Sequence, residues 1–143
     1  MQPLTLIEKA LILKKTRMFS QLDLDALLAI ADRLSLIKLD IDETIFDIQE
    51  QAYSMYFIVK GTVEIQCSNS DVSASLKDDH FFGEESLFSS RPREYRAFAK
   101  EETTVLTLPY TDLLAIIHEY PKVAIGFLEV YAKVVSIRTK LQE

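Results

Sequence analysis

The chain has no tryptophan, one cysteine, two histidines, three glycines and four prolines among its 143 residues. A lone Cys67 cannot close an internal disulfide, and no Cys/His spacing fits a structural zinc site, so a reducing compartment, the cytoplasm, is expected. His80 and His118 fall on different predicted elements, which leaves a metal-dependent barrel enzyme without the converging imidazoles it needs; no metal is expected. Cys67 sits in a strand pattern at an apolar-face position, where a small buried hydrophobe is expected rather than a nucleophile. No catalytic triad can be assembled, and the chain reads as no enzyme. Basic charge is short as well. A formal net charge of −6 argues against a surface that trades counterions for DNA phosphates, and no helix-turn-helix pattern follows the last predicted helix, so direct DNA binding is not expected. The longest apolar runs, such as Leu11-Ile12-Leu13, fall far below the roughly 20 residues that span a bilayer, and residues 1–15 do not read as a signal peptide.

What is present is enough apolar material for a core. With 48% hydrophobic and 27% charged residues, the composition is that of one ordered domain over residues 1–143. Thr5-x-x-Glu8 is a capping-box pattern ahead of Leu11, Ile12 and Leu13 at helical spacing, and Asp23 is placed to cap a second helix, giving helices over about residues 5–33. From residue 36 the period shortens. Ile37, Leu39 and Ile41 alternate, Met55 to Val59 is rich in β-formers, and Lys60-Gly61 marks a hairpin before Val63, Ile65 and Cys67. Ser68-Asn69-Ser70-Asp71 reads as a further turn, with Val72, Ala74 and Leu76 at period two. Strand patterns run to about residue 109, and many short strands at even spacing indicate a barrel or a sandwich. Thr111 is placed to cap a short helix over Leu113 to His118, and Pro121 suits the first turn of a last helix, for C-terminal helices over about 111–141. In that last helix Phe127, Val130, Val134, Ile137 and Leu141 form a narrow apolar stripe. It serves packing on the protein's own barrel, a helix pair in a homodimer, or a lid.

The strand rhythm breaks at Phe82-Gly83-Glu84-Glu85-Ser86-Leu87, with Pro92-Arg93 following four residues later. A glycine permits close backbone approach, a helical turn presents free N–H groups, and an arginine ten residues on completes an anion site. Arg93 would pair with the oxygens of a phosphate, and the Glu84 carboxylate would accept a hydrogen bond from a ribose hydroxyl. Outside this context Arg93 would read as an exposed loop arginine, and Glu84 as a carboxylate favouring its own helix start.

The segment resembles the phosphate-binding cassette of the cyclic-nucleotide-binding domain family, F-G-E-[LIV]-A-L-x4-P-R-[AT]-A-[TS]. Gly83, Glu84, Leu87, Pro92 and Arg93 are in register. Ile45-Phe46, Met55-Tyr56-Phe57-Ile58 with Gly61-x-Val63, and Phe19-x-x-Leu22 resemble the family's flanking features, so that the resemblance covers about residues 5–135. It implies an α+β fold: an eight-stranded antiparallel β-barrel of jelly-roll (double-stranded β-helix) topology over about 36–109, a short cassette helix, and flanking N- and C-terminal helices. It also implies a ligand site at Gly83, Glu84, Glu85, Ser86, Arg93 and Glu94, with main-chain N–H groups of residues 85, 86 and 94 on the phosphate.

The implied function is a non-catalytic sensor for a cyclic mononucleotide, cAMP ahead of cGMP, with no other cofactor. Binding would move the helix after Pro121 and be read by a downstream effector protein or domain. The sequence departs from the pattern at Glu85, Glu94-Tyr95 and Arg96. A Glu94 carboxylate facing the phosphate would repel it by roughly 1 to 4 kcal/mol at 4 Å unless it turns outward or pairs with Arg91 or Arg96. The alternative is a degenerate module that has lost the nucleotide and serves protein–protein interaction, with Glu85, Glu94 and Tyr95 filling or repelling the site. Gln49 stands where the family places glycine, at a turn expected to lie away from the cassette.

Overall fold

A computed structural model of the chain describes residues 3–67 and 73–142, with side chains as far as Lys133. The turn at Ser68 to Asp71, with Val72, and the side chains of Val134, Ile137 and Leu141 lie outside the described residues.

The N-terminal capping box forms: the Glu8 amide donates to Thr5 Oγ1 at 3.1 Å and the Thr5 amide to Glu8 Oε1 at 3.0 Å, which starts α1 (Leu6–Lys15). The Asp23 carboxylate accepts from the Ala26 amide at 3.1 Å and starts α2 (Leu24–Ala31), a cap worth about 1 kcal/mol. Met18 and Phe19, between the two helices, are buried.

Eight strands follow among the described residues: β1 (Ser35–Leu39), β2 (Thr44–Phe46), β3 (Ser54–Lys60), β4 (Val63–Cys67), β5 (Ser73–Leu76), β6 (Phe81–Phe82), β7 (Tyr95–Ala99) and β8 (Thr103–Pro109). Helix α3 (Glu85–Ser89) interrupts them between β6 and β7. All pairings are antiparallel, in the orders β1-β8-β3-β6 and β2-β7-β4-β5. The eight antiparallel strands of the expected jelly roll form two four-stranded sheets that are not joined into one, so 'barrel' describes them only loosely. The edges of the two sheets are β1 and β6 in one and β2 and β5 in the other, β6 having two residues and β2 three.

Period-two alternation distributes the core. Val105 of β8 and Ile58 of β3 point between the sheets, with Leu39, Phe46, Phe82, Val63, Ala97 and Ala99. Their neighbours Leu106, Leu108, Met55 and Phe57 point to the other face, where the helices cover them. Gly61 takes φ +108 at the β3–β4 turn. Cys67 is exposed at the end of β4, against the expectation of a buried small residue, because the intersheet core ends before the strand does.

Thr111 does not cap the next helix: α4 (Tyr110–Glu119) leaves β8 directly through Pro109, whose φ of −62° already suits a helix start. Pro121 immediately precedes α5 (Lys122–Gln142). Val123 and Phe127 of α5 are buried, and Phe127 packs edge-on against Phe19 at 6.0 Å and Phe88 at 5.0 Å. The described start of the C-terminal stripe thus packs inside the chain. None of the described helices is long and apolar enough to cross a membrane.

Gly126 lets α5 touch the α1–α2 connection, since a Cβ there would collide with the Met18 carbonyl oxygen. Gly126→Ala is expected to lower stability by about 1–3 kcal/mol in urea unfolding, overcoming alanine's helix advantage of about 1 kcal/mol. An unchanged or raised midpoint would mean that α5 does not seat there.

Candidate functional site

The segment between β6 and β7 carries the expected residues. Gly83 leaves β6 with φ +88, and a Cβ on it would stand 3.1 Å from Arg93 Nη1 and 3.3 Å from Tyr56. Only glycine allows the chain to turn this close to the guanidinium. Helix α3 begins two residues later, with Glu84 at its N-cap, Ser86 and Leu87 buried and Glu85 exposed.

Arg93 points inward and is 2% exposed. Its Nη1 donates to the Gly83 carbonyl at 2.5 Å and its Nη2 to the Ser54 carbonyl at 2.7 Å. The guanidinium carbon lies 4.0 Å from the centre of the Phe46 ring, a cation–π contact. Burial pulls its pKa below the ordinary arginine value, opposed by the negative charge of Glu85 and Glu50. Among the described residues no carboxylate forms an ion pair with it, and its Nε has no hydrogen-bond partner. The cation is held by neutral carbonyls and an aromatic face, so its charge is not neutralised by an ion pair among the described residues.

Sequence reasoning misplaced the Gln49 turn. The Gln49 amide donates to the Arg93 carbonyl and the Arg93 amide to the Glu50 carbonyl, both at 2.8 Å, so this turn clamps the arginine's backbone. Gln49 pays for that position with φ +72, a left-handed conformation that costs a side-chain-bearing residue about 1 kcal/mol or more. Ser54 and Phe46 were also missed as partners of Arg93, because neither a main-chain carbonyl nor a strand phenylalanine carries a sequence signal for that role.

Glu84 is 6% exposed and its Oε2 accepts from the Tyr131 hydroxyl of α5 at 2.6 Å, across 47 positions of sequence. Its Oε1 has no partner. Burial, with the Glu85 carboxylate beside it, pushes Glu84 up to about 7 despite the Tyr131 hydrogen bond. Tyr95, on β7, accepts from the Gly83 amide and donates to Glu85 Oε1, each at 2.9 Å, and its ring packs 5.4 Å from that of Phe46.

Glu94 is exposed and lies 3.5 Å from Arg91, so its carboxylate turns away from Arg93 and the expected repulsion is relieved. Arg96 donates to Thr44 Oγ1 at 3.1 Å and lies over the Phe98 ring. Ser86 Oγ is 3.4 Å from the Pro92 carbonyl, and Ser86 also lines a cleft of about 460 Å³ with Gln49, Arg91 and Tyr110. Gly83, Glu84 and Arg93 are thus brought together. Glu85 joins them through Tyr95, Ser86 faces the neighbouring cleft, and Glu94 stands outside.

The pattern of the family described as "cyclic nucleotide-binding domain" matches residues 36–120. A candidate potassium channel protein from Rhodopseudomonas palustris (strain ATCC BAA-98 / CGA009) is 31% identical over 109 residues, 75% of this chain and 26% of that protein. The chain therefore spans about a quarter of that relative's length. The fold is shared with the Thermus thermophilus catabolite activator protein, at TM-score 0.77 and 24% identity over 89% of this chain and 61% of that one. It is also shared with the regulatory domain of Toxoplasma gondii PKA crystallised with cAMP, at TM-score 0.78 and 15% identity over 89% of this chain and 50% of that one.

Two outcomes are expected from this geometry. Gln49→Gly should relieve the left-handed strain and raise stability by up to about 1 kcal/mol, read as a higher melting midpoint. Glu84 binds its proton more tightly folded than at its ordinary value of 4.5, so the stability it contributes is full below that value and is lost as pH rises through about 7. Urea unfolding of the chain should lose about 3 kcal/mol between pH 4 and pH 8.5 from this group, and Glu84→Gln should abolish that part of the slope.

Proposed function

The chain belongs to the cyclic nucleotide-binding domain family, and from that premise we propose that residues 1–143 are one non-catalytic regulatory module that binds a cyclic purine mononucleotide, cAMP ahead of cGMP. The phosphodiester sits on Arg93 and the main-chain N–H groups of residues 85, 86 and 94, beside Gly83, and the ribose hydroxyl meets Glu84.

One observation carries this reading. Among the described residues, the buried side-chain polar atoms without a hydrogen-bond partner are Glu84 Oε1 and Arg93 Nε, an acceptor and a cationic donor. Leaving such atoms unpaired costs about 1–3 kcal/mol each, which a fold carries most readily where a ligand will supply the partners. A ribose hydroxyl and a singly charged phosphodiester are of the chemistry these two atoms lack.

Glu84 offers one oxygen to the ligand and holds α5 by the other through Tyr131. Nucleotide bound at Oε1 changes the strength of that second bond and so the seating of α5, whose position an attached or separate effector reads. We place the module in the cytoplasm, with α5 also the surface for pairing with a second copy. The relative of channel type and the two regulators sharing the fold are consistent with a module serving different outputs.

A second reading, a degenerate module used for protein interaction, is favoured by the Tyr95 hydroxyl already standing on the Gly83 amide. Thermal unfolding with cAMP or cGMP separates the two. Ligand at one hundred times its dissociation constant should stabilise the chain by about 2.7 kcal/mol. Arg93→Lys, which keeps the charge and loses the fork of donors, should remove most of that gain. An unchanged melting curve with millimolar nucleotide would favour the degenerate module.

A further inference from the structure

The nucleotide reading leaves Tyr95 unexplained. Its side chain joins three parts of the site: the Gly83 amide, the Glu85 carboxylate at the start of α3, and the Phe46 ring that underlies Arg93. Gly83 turns with φ +88 against the guanidinium, which bonds to its carbonyl, and the Tyr95 side chain that takes its amide is within electrostatic reach of Arg93. The oxygen on that amide is the phenol's. Burial first, and then the Glu85 carboxylate, push the Tyr95 pKa far above its ordinary value, which keeps the hydroxyl neutral.

We propose that Tyr95 is the resident occupant of the anion cradle, held on the Gly83 amide by Glu85, and that a ligand binds by displacing its hydroxyl with an anionic oxygen. The inference rests on the nucleotide reading and adds to it the group that sets affinity and selects for charge. An anionic oxygen accepts from an amide about twice as strongly as a neutral one, so a phosphodiester outcompetes the phenol. An uncharged nucleoside has no such advantage. Glu85 is exposed, so water replaces the phenol at its carboxylate when Tyr95 withdraws.

Tyr95→Phe removes the hydroxyl and leaves the ring, so the fold is kept. Calorimetric titration of the unaltered chain and of this variant with cAMP and with adenosine, beside amide hydrogen exchange at Gly83 without ligand, forms the test. The expected result is about tenfold tighter cAMP binding by the variant, a preference for cAMP over adenosine at least as large as in the unaltered chain, and Gly83 exchange faster by several-fold. Equal or weaker cAMP binding by the variant would overturn the displacement while leaving the nucleotide reading in place. If neither protein binds cAMP, the nucleotide reading falls. Faster Gly83 exchange in the variant would then uphold the phenol as occupant, and unchanged exchange would remove it too.

Discussion

A guanidinium buried, among the described residues, without a carboxylate partner organises this molecule. Arg93 bonds to carbonyls at the end of β6 and the start of β3, rests on Phe46 of β2, and has its own backbone clamped by the turn at Gln49 and Glu50. Residues between Phe46 and Ser54, and Gly83 from across the fold, converge on one cation. Taking a charge out of water costs several kcal/mol, and neutral carbonyls with an aromatic face offset that cost without cancelling the charge. A carboxylate partner would have stabilised the arginine and spent its attraction for anions. The left-handed Gln49 and the close turn at Gly83 are local costs of keeping the cation in this state.

The second constraint is the carboxylate next to it. Glu84 is buried within a negative neighbourhood and hydrogen-bonded to a helix 47 residues away. The link matters because the start of α5 is already fixed by other means: Gly126 lies against Met18, and Val123 and Phe127 are in the core. Under the proposed relay, movement of α5 would belong to the part beyond this anchor, where Tyr131 is the contact with the cassette. A regulatory output at α5 needs a switchable bond of that kind on an otherwise seated helix.

The charge pattern of the cassette also resolves into two kinds of acidic residue. Glu94 had every appearance of an obstacle in the sequence, beside the arginine, yet it turns out to Arg91 and leaves the field of the site. Glu85, one helical position from the carboxylate that matters, acts instead on Tyr95. Arg93 and Glu94 lie in the loop before β7, where neighbours can face different ways, and Glu85 meets Tyr95 ten residues on, so linear proximity to Arg93 is a poor guide to which acid bears on it.

The helical caps at Thr5 and Asp23, the shift from period 3.6 to period two near residue 36, and the glycine–arginine spacing of the cassette were legible in the sequence because each is a local pattern whose cause lies within a few residues. Other features depended on partners from elsewhere in the chain. Whether the strands join into one barrel depends on which of them pair across the two sheets. The start of α4 depends on Pro109 rather than on the nearest capping side chain, and the exposure of Cys67 on where the intersheet core ends. The occupant of the Gly83 amide, the holder of Glu84 and the clamp on Arg93 came from Tyr95, Tyr131 and Gln49. The amino-acid order determined which groups could hold a phosphate and a sugar, since that is a matter of chemical type and short spacing. Which of those groups are buried, paired or left open was decided only when the two sheets and α5 packed, because desolvation and hydrogen-bond partnership belong to the assembled interior.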